Sequence, residues 1–457
     1  MALTGIEPTG RVADVENTPR AAAWWCDLQA RRMLVRSGIV LLILLYVCLW
    51  GASALFPINP TDFDVFFLPS AKLAAAGHPF EIYRIRYQDV YPNANGPLSS
   101  VPLALVAALA GRLGWLDDPT LRRVLAMAVF SVFALLLSRE VLLACDRLLP
   151  RPLRGWRRLI VYVPVALSPE LWHSMLLYGH VEQPLMLWLV LWAVRSLAEQ
   201  RAWRAGVLLG LALLTRSAAV LYALPLALLL ARGMRWRQLG ALLASCGGVV
   251  VAGLLPFWLA DRADLLYSLV TFRAELPIGG GTAWRLAVGT PWQSFAENHD
   301  TLVILAGALL VCIALLALRR DLDVSSREVY ALLAVSGLCF PLLIKTLWPY
   351  YFLDAYMLLA ICWLSGVPGG RSIGVWLRWW PGLLALVAAV GLGQVAEAEV
   401  ERWNSGLWDV QWSLAMAGLI AGLLVAIALW VWWRGGGGGR RQPAARRRRA
   451  EAVPALG

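Results

Sequence analysis

Charge is what this sequence has least of. Only 15% of its 457 residues are Asp, Glu, Lys or Arg, against about 25% in an ordinary soluble domain. Hydrophobic residues make up 60% and the mean hydropathy is +0.64, which argues against a soluble globular enzyme and for a polytopic membrane protein. Acid is scarcer than base, with 29 Asp and Glu against 41 Lys and Arg. The basic excess gathers in short connectors and at the C-terminus, a positive-inside pattern and not the footprint of a nucleic-acid binder. Cysteines are few and odd in number, seven in all, and Cys48, Cys246, Cys312, Cys339 and Cys362 sit inside apolar runs. There they behave as small hydrophobes, and without a CxxC or Cys/His cluster neither a disulfide framework nor a metal centre is expected. No P-loop, GxSxG or HExxH stands on a credible element, no cofactor is expected, and no short-period repeat is visible. A removable leader is not apparent either, since the first apolar run begins near Ser37, behind a polar stretch, and is long enough to span a bilayer.

What is present is a succession of such runs. Residues 1–30 read as a polar cytoplasmic arm, and Arg31, Arg32 and Arg36 before the span Ser37–Phe56 put the N-terminus inside. Two runs follow, Leu98–Trp115 and Val124–Cys145, before the basic connector DRLLPRPLRGWRR; charge parity allows only one of them to cross fully. Further spans are expected at Leu159–Tyr178, Pro184–Ala198, Leu239–Leu259, Thr301–Leu318, Val329–Ile344, Ala355–Val367, Pro381–Val395 and Trp412–Trp433. The run Ala205–Ala231 has basic flanks at both ends and is interrupted at Thr215, Arg216 and Ser217, so it reads as a hairpin or broken pair with Arg216 near the tip. The fold class is therefore all-α, a single membrane domain over 31–434 with about eleven or twelve transmembrane helices. A Gly/Arg-rich cytoplasmic tail follows over 435–457, and 24 tryptophans suit the two interfacial belts. Two long outer loops are expected, Thr61–Leu98 and Asp261–Asp300. In the first, PSAKLAAAG has proline at a good N1 position and Gly77 at a good C′ position for a short helix lying along the membrane surface.

Four groups of residues could carry chemistry, all on the same side by this topology. The first loop holds Asp62, Asp64, His78, Glu81 and Asp89. A carboxylate there can take the proton of a hydroxyl acceptor as general base, or simply mark the end of a helix. Tyr178, His180, Glu182 and Gln183 form either a tight turn or a two-sided hydrogen-bonding set for a sugar or acceptor. Arg216 lies in an apolar run, where an arginine costs about 2.5–3.5 kcal/mol on insertion scales and so faces protein, water or a partner; its planar fork suits phosphate. KTLWPYYFLD brings Lys345, Tyr350 and Tyr351, whose rings suit sugar faces or serve as interfacial anchors. Arg273 and Arg285 are further outer-face cations.

DFDVFFLPSAKLAAAGHPF resembles the opening loop of the GT-C membrane glycosyltransferases of family 87, the polyprenol-phosphate-mannose-dependent mannosyltransferases. Asp62, Phe63, Val65, Phe66, Gly77 and Phe80 match that loop in order. YPNANGPLSSVPLAL is similar to the tyrosine–proline stretch that follows, with Pro92 and Asn93 where a double proline is usual. YGHVEQPLMLWLVLWAV and RAGVLLGLALLTRSAAVLYALPLAL resemble the middle of many GT-C enzymes, so the likeness covers roughly Asp62 to Leu226. Phe66 stands where tyrosine is common, and Glu182 where some relatives have aspartate. The resemblance implies inverting transfer of a hexose, mannose first, from a polyprenyl-phosphate donor to an extracytoplasmic glycolipid or glycan. It implies Asp62 as base with Asp64 the alternative, Arg216 and Lys345 at the donor phosphate, and no need for a metal ion. The site would face outward from a cell membrane with both termini cytoplasmic, and lipids, not nucleic acid, would be the partners. A transporter or lipid flippase, and a non-catalytic membrane scaffold, are the alternatives; glycine-broken segments and Arg216 would suit a substrate pathway.

Overall fold

The computed structural model describes residues 63–86, 92–149, 168–176, 179–279, 287–319, 322–347 and 349–365, with isolated positions between them. The chain divides into two units, Met1–Ser53 and Ala54–Gly457, and all of these residues belong to the second. Asp62, Tyr178, Arg285, the arm 1–30, the tail 435–457 and the spans expected at Ser37–Phe56, Pro381–Val395 and Trp412–Trp433 lie outside the described residues.

Among the described residues every regular element is helical, the solution open to an apolar chain that must satisfy its backbone internally. A π-helical turn, Phe63–Phe67, leads into α1 (Leu68–Ala75), then α2 (Ser100–Leu113), α3 (Pro119–Leu148) and α4 (Pro169–Leu176). Next come α5 (Glu182–Ala198), α6 (Ala202–Thr215), α7 (Val220–Arg232), α8 (Trp236–Leu266) and α9 (Phe272–Glu275). The series closes with α10 (Gln293–Leu318), α11 (Glu328–Leu343) and α12 (Leu353–Ser365). Among the described residues three stretches are long and apolar enough to cross a membrane, Pro119–Leu148, Trp236–Glu275 and Gln293–Leu318. Two helices form the centre: nearly every residue of α5 from Glu182 to Leu197 and of α11 from Glu328 to Pro341 is buried. That is why both read as apolar on all faces.

Of the two runs between Leu98 and Cys145, the second is the long one. α2 has 14 residues and α3 has 30. Asp118 caps α3, its carboxylate accepting from the N–H groups of Thr120 and Leu121 at 2.9 and 3.0 Å. The first turn of α3 then meets the first loop, where Arg122 and Arg123 pair with Asp64. Its last turn reaches the opposite end of the bundle, where Arg147 donates to the Tyr330 hydroxyl at the start of α11. α2 begins beside the end of α6 and hands over to the first turn of α3, so α3 is the run that goes from end to end.

α6 and α8 run side by side in the same direction, with Gly206 against Leu242, Gly210 against Cys246 and Leu214 against Gly253. α7 must therefore run in the opposite direction to bring the chain back, and it packs against α10 and α11. The expected hairpin forms, with Arg216 extended (φ −150°, ψ 129°) at its tip and a 3-10 turn, Ser217–Ala219, starting the return. α1 forms over the expected segment, with proline in its first turn and Gly77 at φ +94° after its end. Its Leu68, Ser70 and Ala71 are buried within the protein.

The second outer loop differs from expectation at both ends. Asp261 bends α8 (φ −159°, ψ 103°) and caps a renewed helical segment, accepting from the N–H groups of Ala263 and Asp264 at 2.8 and 3.1 Å. That segment continues to Glu275, and α10 starts at Gln293 instead of Thr301 because Ala296 and Asp300, four apart, share one buried face. The close approach of α6 to α8 yields a test. A Cβ at Gly206 would lie 2.0 Å from Ser245 Oγ and 2.2 Å from the Leu242 carbonyl oxygen, so Gly206→Ala is expected to cost about 1–3 kcal/mol. Gly247, with nothing described within 4 Å of its Cβ, should accept alanine with a gain of up to about 1 kcal/mol. Thermal unfolding of the two variants in one detergent makes the comparison.

Candidate functional site

The turn between α4 and α5 places the first polar group. Gly179 has φ +71°, and a Cβ there would lie 2.8 Å from Phe63 Cα, so glycine is what lets the turn sit against the first loop. Glu182 and Gln183 follow in the first turn of α5. His180 Nδ1 lies 2.5 Å from Glu182 Oε1, and its ring is fixed over Tyr350 (4.2 Å between centroids) and against the edge of Phe67 (5.0 Å). The Gln183 amide donates to the Tyr350 carbonyl at 2.9 Å and to Asp354 Oδ1 at 3.2 Å. Asp354 Oδ2 accepts from the Tyr222 hydroxyl at 2.7 Å. Four helices, α5, α7, α11 and α12, thus converge around one buried carboxylate. Gly337 of α11 leaves the room for it, since a Cβ there would lie 2.6 Å from Tyr222 Oη.

Arg216 closes the cluster. It is 4% exposed, and its guanidinium lies 5.1 Å from the Tyr351 ring centre and 5.5 Å from that of Phe340. Among the described residues it makes no side-chain hydrogen bond or ion pair, although Glu182 and Asp354 are within electrostatic reach. Arg273 approaches Phe340 at 5.8 Å, also without a hydrogen bond of its own, and feels both Arg216 and Asp300. Two guanidinium groups therefore share one edge-packed aromatic pair, Phe340 and Tyr351, whose centroids are 4.8 Å apart. Two buried acceptors in the same cluster, Glu182 Oε2 and Gln183 Oε1, have no partner among the described residues. Of the two acceptors, Glu182 is the one within electrostatic reach of Arg216.

The other sequence candidates fall elsewhere. Asp64 is held between Arg122 and Arg123, with Arg123 at 3.1 Å and Arg122 also donating to the Leu116 carbonyl. The π-helical turn that carries Asp64 also carries Phe67, which links it to His180. Lys345, expected at a phosphate, lies between α9 and α10. Its ammonium group donates to the carbonyls of Glu297 (2.6 Å) and Ala274 (3.0 Å), tying α9 to α10. Burial lowers the pKa of Lys345, against the opposing pull of Asp300 and Glu297. Tyr222, Asp354, Arg122 and Arg123 were not singled out from the sequence, and Arg273 only as a cation. Tyr222 lies in an apolar run and gives no signal; the signal for Arg122 and Arg123 is their adjacency just inside a Pro-started helix.

No family model matches the chain, and no curated protein is found to be similar to it. The commitment of Lys345 to two carbonyls leads to a prediction of its own. Lys345→Met should lower the unfolding free energy by about 2–3 kcal/mol, the range for losing hydrogen bonds from a charged donor, as read by denaturant unfolding. Stability unchanged in that variant would mean that the ammonium does not tie the two helices.

Proposed function

We propose that this chain is a GT-C-type membrane glycosyltransferase resembling family 87. It transfers a hexose, mannose first, from a polyprenyl-phosphate donor to a glycolipid or glycan acceptor, with inversion. The observation that carries the reading is the uncommitted Arg216 within electrostatic reach of Glu182, one of whose oxygens, like that of the neighbouring Gln183, has no partner among the described residues. A ligand bearing both a phosphate and hydroxyl groups satisfies both, and the half-buried ring of Tyr351 is the aromatic plane nearest to hand for a sugar, that of Tyr350 being buried against His180. The basic end of the bundle, with Arg147, Arg195, Arg232 and Arg235, is assigned to the cytoplasm by the positive-inside rule, so the Arg216 end faces outward.

In this mechanism Arg216 and Arg273 receive the donor phosphate. The bond from the sugar C1 to the phosphate oxygen breaks, the arginines stabilise the departing charge, and the acceptor hydroxyl attacks C1 from the opposite face. Its proton passes to a first-loop carboxylate. Asp62 takes that role, because the lone pairs of Asp64 are engaged by Arg122 and Arg123, which makes Asp64 the anchor of the loop. A transporter or flippase is the second reading, favoured by the helix broken at Arg216.

A transfer assay separates them. Membranes containing the protein, supplied with labelled polyprenyl-phosphate mannose, should pass label to a glycolipid or glycan. Arg216→Gln should slow this about 100-fold, and Asp62→Ala at matched protein level should abolish it. Full activity in both Asp62→Ala and Asp64→Ala would remove the base assignment. No transfer from mannose or glucose donors, with vesicle uptake and no covalent product, would establish transport instead.

A further inference from the structure

The Arg216 site contains an acid that balances a buried guanidinium without pairing with it. Asp354 is within electrostatic reach of Arg216, and the two are only 7% and 4% exposed. Opposite charges in so apolar a setting attract strongly, and a bidentate fork is their natural end point. Yet both oxygens of Asp354 are already occupied, one by the Gln183 amide at 3.2 Å and the other by the Tyr222 hydroxyl at 2.7 Å. The two donors are themselves fixed. Gln183 is held by the Tyr350 carbonyl at 2.9 Å, and the Tyr222 hydroxyl occupies the space that Gly337 leaves open. Arg216 is left against two aromatic rings, with its donors uncommitted among the described residues.

We propose that Tyr222 is a positioning residue that keeps Asp354 from capturing Arg216, with Gln183 restraining the second oxygen, so that the guanidinium stays open to a phosphate. The inference rests on the anion-binding reading given above. Glu182 and Asp354 together make the charge of Arg216 tolerable in an apolar bundle, and an Asp354 carboxylate free to move would close the site with that same charge. Tyr222 separates those two effects. It needs no contact with the ligand to do so.

The test uses the full chain in nanodiscs, titrated with farnesyl phosphate, with thermal unfolding of each sample to establish that it is folded. Tyr222→Phe removes the hydroxyl and releases Asp354 Oδ2, and the Kd should rise about tenfold or more. Adding Asp354→Asn removes the charge that would capture Arg216, so affinity should return to within about threefold of the wild type. Tyr222→Phe binding like the wild type would overturn the inference. So would a double variant as weak as the single one, because the hydroxyl would then be merely structural. Should Tyr222→Phe fail to fold, Asp354→Asn alone carries the test. Its carboxamide can still accept from Gln183 and can donate to the Tyr222 hydroxyl, so binding must stay at least as tight as in the wild type, and weaker binding overturns the inference. A wild-type chain that does not bind farnesyl phosphate overturns the anion-site reading itself.

Discussion

A guanidinium enclosed in an apolar helical bundle has to be balanced, and the arrangement around Arg216 follows from how that is done. Removing such a charge from water costs several kcal/mol unless opposite charge or polarisable groups are close. Here Tyr351 and Phe340 present their ring faces, and Glu182 and Asp354 supply negative charge from a distance. Four elements must converge for this to hold: the start of α5, the break between α6 and α7, the end of α11 and the start of α12. The break adds its own demand. Ending α6 at Thr215 leaves a carbonyl without its helical partner, and the N–H of Gly96 from the first loop takes it at 3.2 Å. The tip that carries Arg216 and the loop that carries the acids are thus joined through the backbone.

The opposite end of the bundle treats the same residue type in another way. Arg232, at the end of α7, donates to the carbonyls of Leu316 and Arg319 at 2.8 and 2.6 Å, closing the end of α10. Arg195 forms a two-pronged pair with the buried Glu140 at 3.0 and 2.9 Å, locking α5 to α3. These arginines are used up in holding helices together, and cations at helix C-termini also suit the helix dipole. Against that background Arg216 and Arg273 stand apart. Saturation is not complete at that end, since Nε and Nη1 of Arg147 are buried without a partner among the described residues; what sets Arg216 and Arg273 apart is that, among the described residues, they lie against aromatic rings with no side-chain hydrogen bond at all.

Much of this was legible in the sequence, and the reasons differ by residue. Arg216 stood out because a charge inside an apolar run has few structural excuses, and its neighbours Thr215 and Ser217 marked the break. His180, Glu182 and Gln183 stood out as a polar turn between apolar runs. Asp354 did not, although the stretch holding it was noticed. Its meaning depends on Gln183 and Tyr222, 171 and 132 positions away, and no local pattern encodes such a meeting. Lys345 stood out as an outer-face cation, but its ties to the Glu297 and Ala274 carbonyls show only in the fold. The helical segment after Asp261 was missed because an aspartate that caps a helix looks, in sequence, like one that ends it.

The described parts of the first loop, residues 63–86 and 92–98, are tied down at several points. Ser70 donates to the Ile82 carbonyl at 3.1 Å, the Tyr83 hydroxyl to the Asn95 carbonyl at 2.9 Å, and Ser268 of the α8–α9 segment to the Tyr83 carbonyl at 3.2 Å. Arg86 pairs with Asp264 and lies 4.2 Å from the centre of the Tyr267 ring. Burial raises the pKa of Tyr83, which keeps its hydroxyl a donor. These ties, with Asp64 fixed by Arg122 and Arg123, turn a segment that could have been a loose connector into a wall between α3, α6 and α8. Groups that must meet a substrate in one geometry gain most from such preorganisation, because no ordering is left to be done when the substrate arrives. The same ties serve the fold directly, since each satisfies a buried polar group that the surrounding apolar helices would otherwise leave unpaired.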